Sequence, residues 1–188
     1  MTIVLISAAL LFVFIAQFLF GGRLSAILRY AFWLAVVIIL GGAFYSAFAQ
    51  YRGWAAGELT QFLLPPHQNI NYFLVDVGKK IFAPPFIALL AALIILRLAE
   101  RLNKRYGERF FYGEEFGLMR LGIFLTGYPG FLFYLILVLA ASVFLSWLFT
   151  LLSYGRAPMR WFWMPAAIVT VVLLAKALPP EILGKFAL

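Results

Sequence analysis

Glu114, Glu115 and Arg120 are the residues of this 188-residue chain best placed to do chemistry. Paired carboxylates at a membrane surface can bind a cation or act as acid and base. Their spacing restrains that reading. Glu115 and Arg120 are five apart, whereas helical neighbours are three or four apart. The same glutamates could instead sit in water and balance the basic residues around them. No catalytic, metal or nucleotide motif accompanies them, so no catalytic residue, metal site or cofactor is expected.

The other polar residues narrow the chemistry further. His67 is the single histidine, which excludes a bis-histidine haem within the chain and a multi-histidine zinc site. It follows Pro65-Pro66 in a polar turn, a setting of solvent exposure. There is no cysteine, hence no disulfide, thiolate metal site or cysteine nucleophile. Gln17 lies inside an apolar run, where an amide typically bonds across to a neighbouring helix, and Ser7, Ser46, Ser142, Ser146 and Thr170 read the same way. The spacings Gly42 with Ser46 and Ala43 with Ala47 suit close helix approach.

A second constellation is basic. Arg97, Arg101, Lys104, Arg105, Arg109 and Arg120 share one stretch with Tyr106, Phe110, Phe111 and Tyr112. Cations among aromatics could hold a lipid phosphate, a polyprenyl phosphate or an acidic partner. The first five are the candidate contacts to anionic lipid; inside-positive loops and aromatic belts produce the same composition without a specific ligand.

The elements that carry these residues follow from hydropathy. Hydrophobic residues make up 65% of the chain and charged residues 12%. A soluble core of this size could not hide so much apolar surface, since about a third of the unfolded area stays exposed. The expected fold is therefore all-α, a single membrane domain over 1–188. Five apolar runs cover residues 2–20, 30–50, 81–96, 130–152 and 161–178. A bilayer crossing takes about 20 residues, so the third run is short. Pro84-Pro85 accounts for that, because proline is tolerated only in the first turn of a helix. The spacing predicts a regular helix from near Ala83, a separate segment over 72–80, and a helical continuation into water over 97–109. There Glu100, Lys104 and Glu108 alternate in sign at four-residue steps.

Residues 51–64 mix Trp54, Leu59 and Phe62 with Arg52, Glu58 and Gln61, the pattern of a helix lying in the headgroup layer. Residues 116–129 are apolar apart from Arg120, too short to cross, and closed by Gly127, Pro129 and Gly130. They form either a half-helix dipping into the membrane or the start of one long, kinked fourth helix. Non-helical backbone at membrane depth would have to be shielded by protein or water. No internal repeat points to duplicated transporter halves.

The order Gly113-Glu114-Glu115, Gly117, Leu121-Gly122 and Gly127 loosely resembles the motif region of type IV prepilin peptidases. Those are intramembrane aspartyl proteases with one of two catalytic aspartates in a Gly-x-Gly-Asp motif. That motif is missing here and Asp76 is the sole aspartate, so the resemblance implies a scaffold without its carboxylate pair.

The net charge of +8, from 15 Lys and Arg against 7 Asp and Glu, fits helix ends facing anionic headgroups, with no nucleic acid as partner. Counting basic residues by gap across five crossings puts the N-terminus outside and the C-terminus in the cytoplasm of a plasma membrane, the inner membrane in a Gram-negative cell. The expected function is a noncatalytic membrane subunit or scaffold that packs against other membrane proteins or itself. The alternatives are a small transporter or channel component for neutral or apolar cargo, and a membrane enzyme acting on a lipid-linked substrate at the cytoplasmic face. Proton and ion paths place ionisable residues within spans, and the middles of these runs have none.

Overall fold

The computed structural model describes residues 2–19, 24–107, 111–152 and 162–177, and every element among them is helical. They are α1 (Thr2–Leu19), α2 (Leu24–Ala56), a 3-10 turn (Thr60–Leu63), α3 (Ile70–Val77), a π-helical turn (Gly78–Phe82), α4 (Ala83–Arg105), α5 (Gly113–Thr126), α6 (Gly130–Leu151) and α7 (Trp163–Ala177). Three helices are long and apolar enough to cross a membrane: α2, the continuous 36-residue rod Ile70–Arg105, and α6. The expected count of five is not met, because the apolar stretches of the other two, Ile6–Gln17 and Trp163–Leu174, are shorter.

The rod corrects the expected break before Ala83. Pro84 and Pro85 stand in the first turn of α4 and cannot donate to the carbonyls four residues back, those of Lys80 and Ile81. The chain accommodates this by widening into a π-helical turn over 78–82 rather than stopping, so α3 and α4 stay joined. The separate helix expected over 51–64 is corrected too. Its first half prolongs α2 to Ala56, and only Thr60–Leu63 forms a short turn. This turn lies against α2, and Leu64 closes a small cluster with Phe73 and Val77 of α3, against which Trp54 packs.

The stretch 116–129 is resolved in favour of a separate short helix. After Thr126, Gly127 takes φ 65°, a left-handed conformation suited to glycine, and the Tyr128-Pro129 peptide is cis before α6 begins. This break excludes one long fourth helix. α5 contacts α1, α2, α4, α6 and α7, and Leu118, Leu121, Ile123, Phe124 and Thr126 are fully enclosed. Neighbours come close because small residues face one another. α4 presents Ala88, Ala92 and Ala99 on one buried stripe. Gly117 lets Leu28 of α2 in, where an added Cβ would lie 3.0 Å from the Leu28 Cβ. At Gly122 an added Cβ would lie 2.6 Å from Cζ of Tyr134 on α6.

The helix directions follow from these contacts. Asn103, near the end of α4, is bonded to Phe111 at the start of α5, so α4 and α5 run antiparallel. Leu28 meets Gly117 while Phe32 meets Phe124, so α2 runs with α5. Phe111 meets Trp163 while Gly130, just beyond α5, faces Leu174, so α7 also runs with α5. The starts of α2, α5 and α7 and the end of α4 thus share one end of the bundle. Four residues link Leu19 to Leu24, so α1 ends there as well. α6 is held by Gly130, Phe131, Tyr134 and Val138, and none of its later residues is buried.

Gly122 should tolerate no side chain. Gly122→Ala forces Tyr134 to shift and should cost about 1–3 kcal/mol, read as a lower midpoint in a tryptophan-fluorescence melt in detergent. Gly41→Ala, facing open space on α2, should leave that midpoint unchanged.

Candidate polar site at the basic end of the bundle

Polar side chains converge where α4 ends and α5 begins. Asn103 is buried within an otherwise charged stretch, and its amide reads the backbone of Phe111 from both sides. Its Nδ2 donates to the Phe111 carbonyl at 2.9 Å, and the Phe111 N–H donates to its Oδ1 at 3.0 Å. This clamp holds the Phe111 ring against Phe116 and Trp163. α5 then starts with its own reciprocal bonds. The Glu115 N–H donates to the Tyr112 carbonyl at 3.0 Å, and the Tyr112 N–H donates to Glu115 Oε2 at 3.1 Å. Carboxylates in the first turn are also favoured by the helix dipole.

The three residues singled out by the sequence therefore separate. Glu115 is 1% exposed and caps the start of α5, while Glu114 beside it is half-buried. Arg120 is half-buried on another face, since five helical residues turn about 140°. Its guanidinium carbon lies 4.3 Å from the ring centre of Phe32 on α2, a close cation–π contact. Its Nε is buried and meets no acceptor among the described residues. Its charged neighbours are Glu100 of α4 and Arg29 of α2. Of the two carboxylates, Glu115 is committed to the backbone and Glu114 beside it is half-buried.

Arg97, Arg101, Lys104 and Arg105 are exposed along the end of α4; Arg109 lies outside the described residues. His67 is exposed, with its ring 4.9 Å from that of Phe62. Two of the hydroxyls expected to bridge helices bond back to their own: Thr170 to the Ala166 carbonyl at 2.8 Å and Ser142 to that of Leu139 at 2.7 Å. Gly42 and Ser46 face outward, so close approach on α2 falls to Ala43 instead. Gln17 is 8% exposed, and neither end of its amide finds a partner among the described residues, contrary to the expected cross-helix bond.

Two polar features went unread in the sequence. Asn103 is one, disguised by its charged neighbours. Asp76 is the other: it takes a hydrogen bond from Gln50 of α2 at 2.9 Å and an ion pair from Lys80 at 2.6 Å, beside the π-helical turn. The four-residue spacing of Asp76 and Lys80 was the available signal. Among the described residues, no group of three or more His, Cys, Asp or Glu is placed to hold a metal ion. What the arrangement offers is a fixed, partly dehydrated guanidinium near a carboxylate and a second guanidinium, a combination suited to anions.

No family model matches the chain, and no curated protein or solved structure matches it.

Asn103→Ala would leave the Phe111 N–H and carbonyl unpaired, which should lower stability by about 1–3 kcal/mol. Lys104→Ala, one residue on and exposed, should change it by under about 0.5 kcal/mol. Parallel thermal melts of the two variants check the difference.

Proposed function

We propose that the chain is a noncatalytic integral membrane subunit, a scaffold that packs laterally against other membrane proteins or copies of itself. The observation that carries this reading is the use made of α5. The helix at the centre of the bundle is wrapped in Leu28, Phe32, Ala88, Ala92, Tyr134, Met164 and Ala167, and its best-placed carboxylate serves as a cap. The outer faces are apolar: Ile136, Leu139, Val143, Phe144 and Trp147 line one side of α6 as it leaves the bundle. Such surface belongs in lipid or against another membrane helix.

In this reading the end shared by the starts of α2, α5 and α7 faces the cytoplasm of a plasma membrane, because Arg97, Arg101, Lys104, Arg105 and Arg29 gather there. α1 ends and α7 begins at that end, and both run with their apolar stretches inside the bundle.

One observation favours a second reading, a carrier of small neutral cargo. Gln17, the hydroxyl of Tyr134 and the indole N–H of Trp163 are all buried without a partner among the described residues, and the Tyr134 and Trp163 rings stand 6.3 Å apart. Inward-facing polar atoms of this kind can line a path.

The protein extracted in mild detergent should run on a native gel with a stoichiometric membrane partner or as a defined oligomer. Proteoliposomes should pass small neutral solutes no faster than empty liposomes. A lone monomer that accelerates flux would sink the subunit reading in favour of the carrier.

A further inference from the structure

We propose that Arg120, with Arg29 beside it, binds the phosphate of an anionic lipid headgroup where α2, α4 and α5 meet. The first support is the state of the Arg120 side chain. Phe32 occupies the face of its guanidinium at 4.3 Å, which fixes the plane and leaves the donors around the edge. Its Nε is buried and unbonded among the described residues. A dehydrated donor without an acceptor is unfavourable, and a planar fork of N–H groups matches phosphate oxygens in pairs.

The second support is the charge around it. Glu100 and Arg29 are the charged groups that act on Arg120, one carboxylate and one further guanidinium. A half-buried guanidinium with an exposed one acting on it favours an anion at its open side. Arg29 also lies over the ring of Tyr30, 5.6 Å from its centre, so both cations are steered by aromatics on α2.

The third support is depth. Arg29 directly precedes the apolar run of α2, which begins at Tyr30, and Glu100 follows Arg97, the first charge after the apolar run of α4 ends at Leu96. On α2 and α4 the change from apolar to charged residues thus falls near Arg120, the kind of level at which lipid phosphates and a tyrosine belt are expected. Arg97, Arg101, Lys104 and Arg105 differ from Arg120 in being exposed. They provide a general, salt-sensitive attraction to the same leaflet, and Arg120 a defined contact.

The inference rests on the membrane reading but not on the subunit reading. The full chain in mild detergent, titrated with phosphatidylglycerol or phosphatidylcholine and read by native mass spectrometry, should retain phosphatidylglycerol selectively. Arg120→Gln should reduce that retention about tenfold, Arg120→Lys should restore part of it, and Lys104→Gln should leave it unchanged. If Arg120→Gln does not fold, shown by its tryptophan-fluorescence melt, Arg29→Gln decides: lost selectivity supports the site and unchanged selectivity overturns it. Retention equal to wild type in a folded Arg120→Gln protein also overturns it. Millimolar inorganic phosphate that displaces the lipid completely would assign the site to a free anion and overturn the lipid assignment. A chain recovered from cells in the soluble fraction defeats the membrane reading, whereas a membrane-bound chain without selectivity defeats the lipid site alone.

Discussion

Close approach to α5 is the constraint on which the bundle depends. A helix of 14 residues is about 21 Å long, too short to cross a bilayer, yet α1, α2, α4, α6 and α7 all touch it. The neighbours reach it through residues with little or no side chain. Ala88, Ala92 and Ala99 of α4 line one side, and Gly117 and Gly122 of α5 admit Leu28 and Tyr134. Between apolar helices in lipid there is little hydrophobic drive to associate, so intimate packing must supply the cohesion. The polar groups at the start of α5 complete the arrangement. Asn103 and Glu115 bind backbone groups that would otherwise be left dry.

This dependence separates what the residues disclosed from what they concealed. The long helices were legible because lipid writes length and apolarity directly into the sequence; α2 and α6 lie close to the runs 30–50 and 130–152. α5 was harder to read because its apolar stretch is short and Arg120 interrupts it, features that also describe a surface loop. Its independence emerges only from the break at Gly127 and from the alanine stripe on a different helix. The candidate site shows the same division. The types Glu114, Glu115 and Arg120 were conspicuous, but their roles depended on angle around α5 and on a partner, Phe32, far away in sequence. Asn103 stood unnoticed among Arg97, Arg101, Lys104 and Arg105 because a charged helix end is normally solvated on every face.

Two kinds of cation result. Those along the exposed end of α4 keep their water and act at long range. Arg120 has given up part of its hydration to Phe32 and the bundle, and its remaining donors are held in one plane. The difference between a diffuse basic surface and a directional contact is thus one of solvation and immobility, and it arises from a single aromatic ring on the adjoining helix.

The π-helical turn before Pro84 has a geometric result for the rod that contains it. One residue added to a helical turn rotates everything beyond it by about 100°. That brings Phe73 and Val77, which face the small cluster with Leu64, close to the same azimuth as Ala88, Ala92, Leu96 and Ala99, which face α5. Without that shift the two groups would diverge by roughly 80° around the rod, and one cluster would lose its contact. The rod therefore carries one continuous seam, which meets the Leu64 cluster along its first half and α5 along its second.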